Sequence, residues 1–281
     1  MNTRRKFLKS GVIAGIAGLT LPKFSRADLK SNNTRELKLG IAGYSFVNFN
    51  LPDSLAMMQR MNVRYLCIKD FHLPLDSDQS TIQSFHHTLQ MSNVKGYAVG
   101  PIYMKTEQEV SQAFEYAKRV GVDLIIGIPS PESLEYVDQH IKKYNIRYAI
   151  HNHGPEDKLY PNASTIYKHI KSFDERMGMC FDMGHNMRDG EDPIRDLERY
   201  KHRIFDIHLK NVTSASAEGT TCELGRGIID IPLFVRTLDK IKYNGVCSLE
   251  FEKDMKDPLA GLAESKGYFQ GVCNTLNLKV D

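Results

Sequence analysis

The chain has 281 residues, 41% of them hydrophobic, 25% charged and 9% aromatic. Those fractions exclude collagen-like, disulfide-scaffold and disordered classes, and the length suits one large domain or two medium ones. The formal net charge of +3 rests on residues 1–27, which carry six basic side chains and no acidic one; the remainder holds 31 basic against 34 acidic, so charge makes no case for nucleic-acid binding.

In chain order, residues 3–9 read TRRKFLK, an apolar stretch follows over Gly11–Leu21, and Ser25-Arg26-Ala27 offers a small-residue exit. This pattern predicts a signal peptide over 1–27, too short in its apolar part to span a bilayer. The Arg4-Arg5 pair before Phe7-Leu8 makes it twin-arginine-like, with an ordinary secretory signal as the alternative. No other run of 18 apolar residues exists, so the mature protein is expected to be periplasmic and without a membrane span. Residues 28–35 read as a polar linker.

Short apolar runs then alternate with helical patterns. The predicted strands are Leu37–Phe46, Arg64–Leu73, Lys95–Met104, Val122–Pro129, Ile146–Gly154, Gly178–His185, Ile204–Asn211 and Val246–Glu252. Three- and four-residue apolar spacing predicts helices such as Glu107–Val120, Leu134–Tyr144, Ala163–Met177 and Ile231–Ile241. Thr106 with Glu109 forms a capping box, and prolines at 131, 193 and 258 follow capping residues. Eight such units predict a single (β/α)8 TIM barrel over 36–281. An open doubly wound sheet is the alternative, but it usually carries a glycine-rich turn after its first strand. Here that turn reads AGYSF over 42–46, and no GxGxxG or phosphate loop occurs.

Five cysteines without a CxxC pair fit neither a disulfide framework nor a zinc cluster. The histidines are more telling. His86, His87, His140, His169 and His202 fall in helical segments, whereas His72, His151, His153, His185 and His208 fall at or just past strand ends. In a barrel those ends converge on one mouth. Period-two alternation turns Asp182 and Glu250 inward, and a buried carboxylate without a partner is costly. One divalent cation would satisfy both, with His151 and His208 completing a mixed nitrogen–oxygen shell suited to Mn, Zn, Co or Fe. A metal-free network of histidines and carboxylates is the alternative.

The series IHNH (150–153), FDMGH (181–185), IHLKN (207–211), GRGIID (225–230) and LEFE (249–252) resembles the xylose isomerase-like barrel superfamily, across essentially the whole mature chain. The resemblance implies a metal held by His151, Asp182, His208 and Glu250. It also implies that His185 and Lys210 lie against substrate or metal, and that Arg226 reaches in from the loop after the seventh strand. One departure is His151, where many epimerases and isomerases have glutamate. Glu250 then stands without the paired glutamate of two-base epimerisation, and His153, Glu156, Lys69 and His72 are the candidates for the second acid/base or for substrate contacts.

The implied chemistry is removal of a proton α to a carbonyl, assisted by a Lewis-acidic metal, on a small carbohydrate. Reprotonation gives isomerisation or epimerisation; loss of a β-leaving group gives dehydration or cleavage of a keto-glycoside. The export signal and His151 together favour elimination or hydration on an unphosphorylated sugar. The rivals are a barrel endonuclease for apurinic sites, a non-catalytic periplasmic sugar- or metal-binding protein, and a non-hydrolytic partner of a sugar oxidoreductase. A homodimer is a further open partner. The Ser/Thr/Gly-rich loop Val212–Gly225 is expected to act as a lid or as a spacer at a subunit contact.

Overall fold

The apolar runs form eight parallel strands: β1 (Glu36–Ala42), β2 (Tyr65–Ile68), β3 (Lys95–Met104), β4 (Leu124–Pro129), β5 (Arg147–His151), β6 (Met177–Asp182), β7 (Ile204–Leu209) and β8 (Val246–Leu249). In this computed structural model, which describes residues 35–281, each strand pairs with the next. The ring closes where β8 returns to β1, in register from Lys38 opposite Val246 to Ile41 opposite Leu249. The predicted leader, its cleavage site and the linker up to residue 34 lie outside the described residues. Arg35, assigned to the linker, instead donates to Leu238 O and pairs with Asp239, both at 3.0 Å.

Alternation along the strands separates two packed layers. Leu66, Ile68, Ile125, Ile150, Phe181, Ile207 and Leu249 face the helices and join the main core. Cys67, Ala98, Leu124, Ile126, Ala149 and Cys180 form a smaller cluster inside the ring. The five cysteines are free and buried.

The crossovers are α1 (Leu51–Met61), α2 (Gln79–Met91), α3 (Glu107–Val120), α4 (Leu134–Tyr144), α5 (Ala163–Ile170), the pair α6 (Met183–Arg188) and α7 (Pro193–Tyr200), α8 (Ile231–Lys240) and α9 (Leu259–Thr275). The Thr106/Glu109 capping box opens α3, and Asp192 caps α7 ahead of Pro193. No helix among the described residues is long and apolar enough to cross a membrane.

Several predicted bounds shift, three of them as follows. The strand predicted to reach His185 stops at Asp182, because the Asp182 carboxylate accepts from His185 N at 2.7 Å and starts α6. The predicted helix 163–177 ends at Ile170. The 212–225 loop is tied into an antiparallel ribbon, Asn211–Val212 against Thr221–Cys222. Asn211 clamps its base: its amide donates to Leu224 O (2.7 Å) and Ile229 O (3.1 Å), and its oxygen accepts from Val212 N (2.9 Å) and Ile229 N (3.0 Å). Gly227 makes room for that clamp, since a Cβ there would lie 2.2 Å from Asn211 Oδ1.

Candidate metal centre and catalytic cavity

Strands β5 to β8 deliver four side chains to one point at their C-terminal ends. His151, Asp182, His208 and Glu250 are all buried, and one ligand atom from each lies within 4.8 Å of the others. Register explains the convergence: Asp182 stands opposite His208 across β6 and β7. His151 Nδ1 and both ring nitrogens of His208 are buried without a hydrogen bond, and Asp182 Oδ2 has the Lys210 ammonium beside it at 2.9 Å. Buried polar atoms in that condition are costly unless something binds them. Two imidazoles and two carboxylates suit a divalent transition ion, so the donor set fits the predicted metal.

The cluster is strongly charged. Lys210, on the same face of the chain two residues beyond His208, is 1% exposed, and its Nζ lies 2.9 Å from Asp182 Oδ2 and 3.0 Å from both Glu250 Oε2 and Glu252 Oε2. Gly184 admits this lysine; a Cβ there would fall 2.7 Å from Lys210 Cγ. His208 Nδ1 is 3.0 Å from Glu250 Oε2, outside hydrogen-bond angles. Burial alone would lower the His208 pKa, but Glu250, Asp206 and Asp182 outweigh it and push it up to about 9. Burial likewise opposes the Glu250 charge, yet His208 and Lys210 hold its carboxyl well below the usual range. Asp182 moves the other way: burial, with the Glu250 charge added, raises it despite Lys210. Burial, together with neighbouring cations and rings, drives His151 and His185 well down, so both are neutral.

Above the cluster opens a cavity of about 260 Å³ lined by Tyr44, Lys69, Pro101, Tyr103, His151, His153, Glu250 and Glu252. The His153 ring stacks on Tyr103, with the planes 9° apart, and its Nδ1 lies 3.2 Å from Asp157 Oδ2. Asp157 is itself fixed by Leu159 N at 2.7 Å and Tyr160 N at 3.2 Å. An acceptor on Nδ1 selects the tautomer whose Nε2 carries a lone pair. Lys69 Nζ donates to Pro101 O at 2.8 Å and faces the same cavity.

Of the predicted site residues, the structure therefore brings together His151, Asp182, His208, Glu250, Lys210, His185, His153 and Lys69. His185 sits behind the first turn of α6, its Nε2 3.0 Å from Lys210 Nζ and its Nδ1 3.2 Å from Arg188. Three others lie elsewhere. His72 turns back from the loop after β2 to Ser54 Oγ (3.2 Å) and Phe49 O (3.0 Å). Glu156 is exposed and pairs with Arg188. Arg226 does not reach into the mouth: it forms a double hydrogen bond with Glu264 on α9, both arms at 2.6 Å. Asp157, Arg188, Glu252 and the two tyrosines escaped the sequence reading. For Asp157 the available signal was its i+4 spacing from His153.

Comparison with known proteins agrees with this fold. A model of the xylose isomerase-like TIM barrel family matches residues 105–271, more than half of the chain. A rhizopine catabolism protein, MocC, of Rhizobium meliloti is 25% identical over 131 residues, covering 41% of this chain and 40% of that protein. An inosose dehydratase of Clostridium perfringens is 24% identical over 161 residues, covering 51% and 54%. The chain thus spans about half the length of the curated relatives it matches. The solved IOLI protein, with a bound zinc atom, superimposes with a TM-score of 0.71 at 17% identity, over 85% of this chain and 99% of that one, a likeness of fold. The chain belongs to the xylose isomerase-like TIM barrel family.

Proposed function

We propose that this protein is a divalent-metal-dependent lyase or dehydratase acting on an unphosphorylated keto-sugar or keto-glycoside outside the cytoplasm. The observation that carries the reading is the pairing of the four-ligand cluster with an Asp157-oriented histidine across one small cavity. His151, Asp182, His208 and Glu250 would hold the ion, which when bound supplies Lewis acidity toward a substrate carbonyl. His153 Nε2 takes the proton α to that carbonyl. The C–H electron pair becomes the new C=C bond as the β C–O bond breaks, and the departing oxygen takes a proton from the Lys69 ammonium. Lys210 keeps Glu250 and Glu252 charged and fixed in place. The cavity suits a single sugar ring flanked by Tyr44 and Tyr103. The inosose dehydratase relative supports a dehydrating outcome on a polyhydroxylated ring, and the leader supports an exported enzyme. A homodimer, or an association with a sugar oxidoreductase that supplies the keto group, belongs to the same proposal.

Elemental analysis of the mature protein, with His208→Ala as control, is the first test. Near one equivalent of Mn, Zn, Co or Fe, lost in the variant, is expected. NMR of keto-glycosides in deuterated water should then show solvent deuterium at the α-carbon and an eliminated product, both lost in His153→Ala. No metal after reconstitution, or turnover confined to phosphorylated sugars, would overturn the reading. The Lys210 ammonium between two of the ligand carboxylates favours one second reading, a metal-free sugar-binding protein; it predicts ligand binding that survives Glu250→Gln with no turnover in either form.

A further inference from the structure

Asp206 is buried inside the barrel and takes no part in the chemistry above. It lies on β7 two residues before His208, so Asp206 and His208 stack along the inner face of one strand, with Lys210 on the same side just past its end. Tyr97 OH donates to its carboxylate, 3.1 Å from either oxygen, and Cys180 Sγ stands 3.5 Å from Oδ2. Tyr97 OH also meets Ser248 Oγ on β8. The interior positions around it hold Ala98, Ile126, Ala149 and Cys180. A carboxylate at that level costs desolvation that an apolar side chain would not, so packing does not account for it.

What Asp206 does face is the far side of a ligand. His208 Nδ1 looks toward Glu250, while Nε2 points back down the barrel with Asp206 Oδ2 at 3.7 Å. Nε2 is fully buried and has no hydrogen bond. We infer that Asp206 is a positioning residue: held by Tyr97 and Cys180, it takes the Nε2–H of His208 and so fixes the ring and presents Nδ1 to the metal. The inference rests on the metal-dependent reading. Removal of such an outer partner typically weakens metal affinity by about 10–100-fold.

The test is Co²⁺ titration of the full chain, followed by chelator competition and the visible d–d spectrum, for the wild type, Asp206→Asn and Tyr97→Phe. Asp206→Asn keeps the volume but removes the anionic acceptor. It should weaken Co²⁺ binding at least tenfold and alter the spectrum, with the metal-free circular dichroism unchanged. Tyr97→Phe should weaken binding several-fold, and it carries the test if Asp206→Asn does not fold. Wild-type affinity and spectrum in Asp206→Asn, or in Tyr97→Phe where that variant carries the test, overturn the role of Asp206 alone. A wild type that takes up no Co²⁺ overturns the metal reading and this inference with it, a result read in a separate arm.

Discussion

Replacement of Lys210 by methionine tests the electrostatics of the site most directly. The ammonium is the only lysine among three carboxylates whose oxygens lie 2.9–3.0 Å from it, in a place that is 1% exposed. At an effective dielectric near 20, each such contact amounts to roughly 5–6 kcal/mol before desolvation is charged against it. The desolvation cost of the lysine itself offsets much of that, and breaking a buried pair costs about 3–5 kcal/mol because the carboxylates stay behind. For a domain of this size the loss lowers the melting temperature by about 6–20 °C in the metal-free protein. A divalent ion should return part of it. At a hundred times its dissociation constant it adds about 2.7 kcal/mol, or about 5–11 °C. The assay is thermal unfolding of Lys210→Met and wild type, in chelator and in excess Zn²⁺ or Co²⁺. A metal-free variant melting within about 2 °C of wild type would refute the bracing role.

Two further outcomes follow, one from the same charges and one from the Asn211 clamp. The His208 pKa is raised from its ordinary 6.5 to about 9, so the stability it lends the metal-free protein is present below pH 6.5 and is lost as pH climbs to 9. Metal binding must displace that proton, so metal affinity should rise across the same window by up to about tenfold per pH unit and level off above it; flat affinity between pH 6.5 and 9 would contradict the assignment. Asn211→Ala should cost about 2 kcal/mol, since it unpairs buried backbone groups at the base of the ribbon. Hydrogen exchange should accelerate over residues 212–229 and not elsewhere, and unchanged exchange there would show that the ribbon holds itself.

The barrel and its cluster of four candidate metal ligands were legible in the sequence for one physical reason. Alternation along a strand fixes which side chains point inward, and parallel closure puts all the strand ends on one rim, so His151, Asp182, His208 and Glu250 had to meet. Beyond the last strand residue that rule lapses. His72 lies four residues past the end of β2, in a turn where Leu73 N returns to Lys69 O, and the turn swings the ring onto Ser54. Arg226 follows a ribbon anchored by Asn211, and the nearest unpaired carboxylate it meets is Glu264 on α9 rather than anything at the mouth. Asp157 was missed for the converse reason: its loop folds back so that Leu159 N and Tyr160 N orient it toward His153.

The substitution of histidine at position 151 changes the charge count and with it the proposed chemistry. Asp182, Glu250 and Glu252 bring three negative charges to the cluster, and Lys210 returns one positive. A divalent ion with neutral His151, His185 and His208 would balance these charges and leave the buried Asp206 beneath His208 as the one net negative charge, whereas a glutamate at 151 would add a second in a buried place. Lysine and metal are therefore complementary here. Under the proposed reading Glu250 serves as a ligand, because His208 and Lys210 hold its carboxyl well below the usual range. In the proposed mechanism His153, paired to Asp157 and open to the cavity, is the base. A single base on one face of the substrate can remove a proton but cannot deliver one to the opposite face, so under the proposed reading the site excludes two-base epimerisation, and Lys69 as proton donor to the departing oxygen favours elimination over same-face isomerisation.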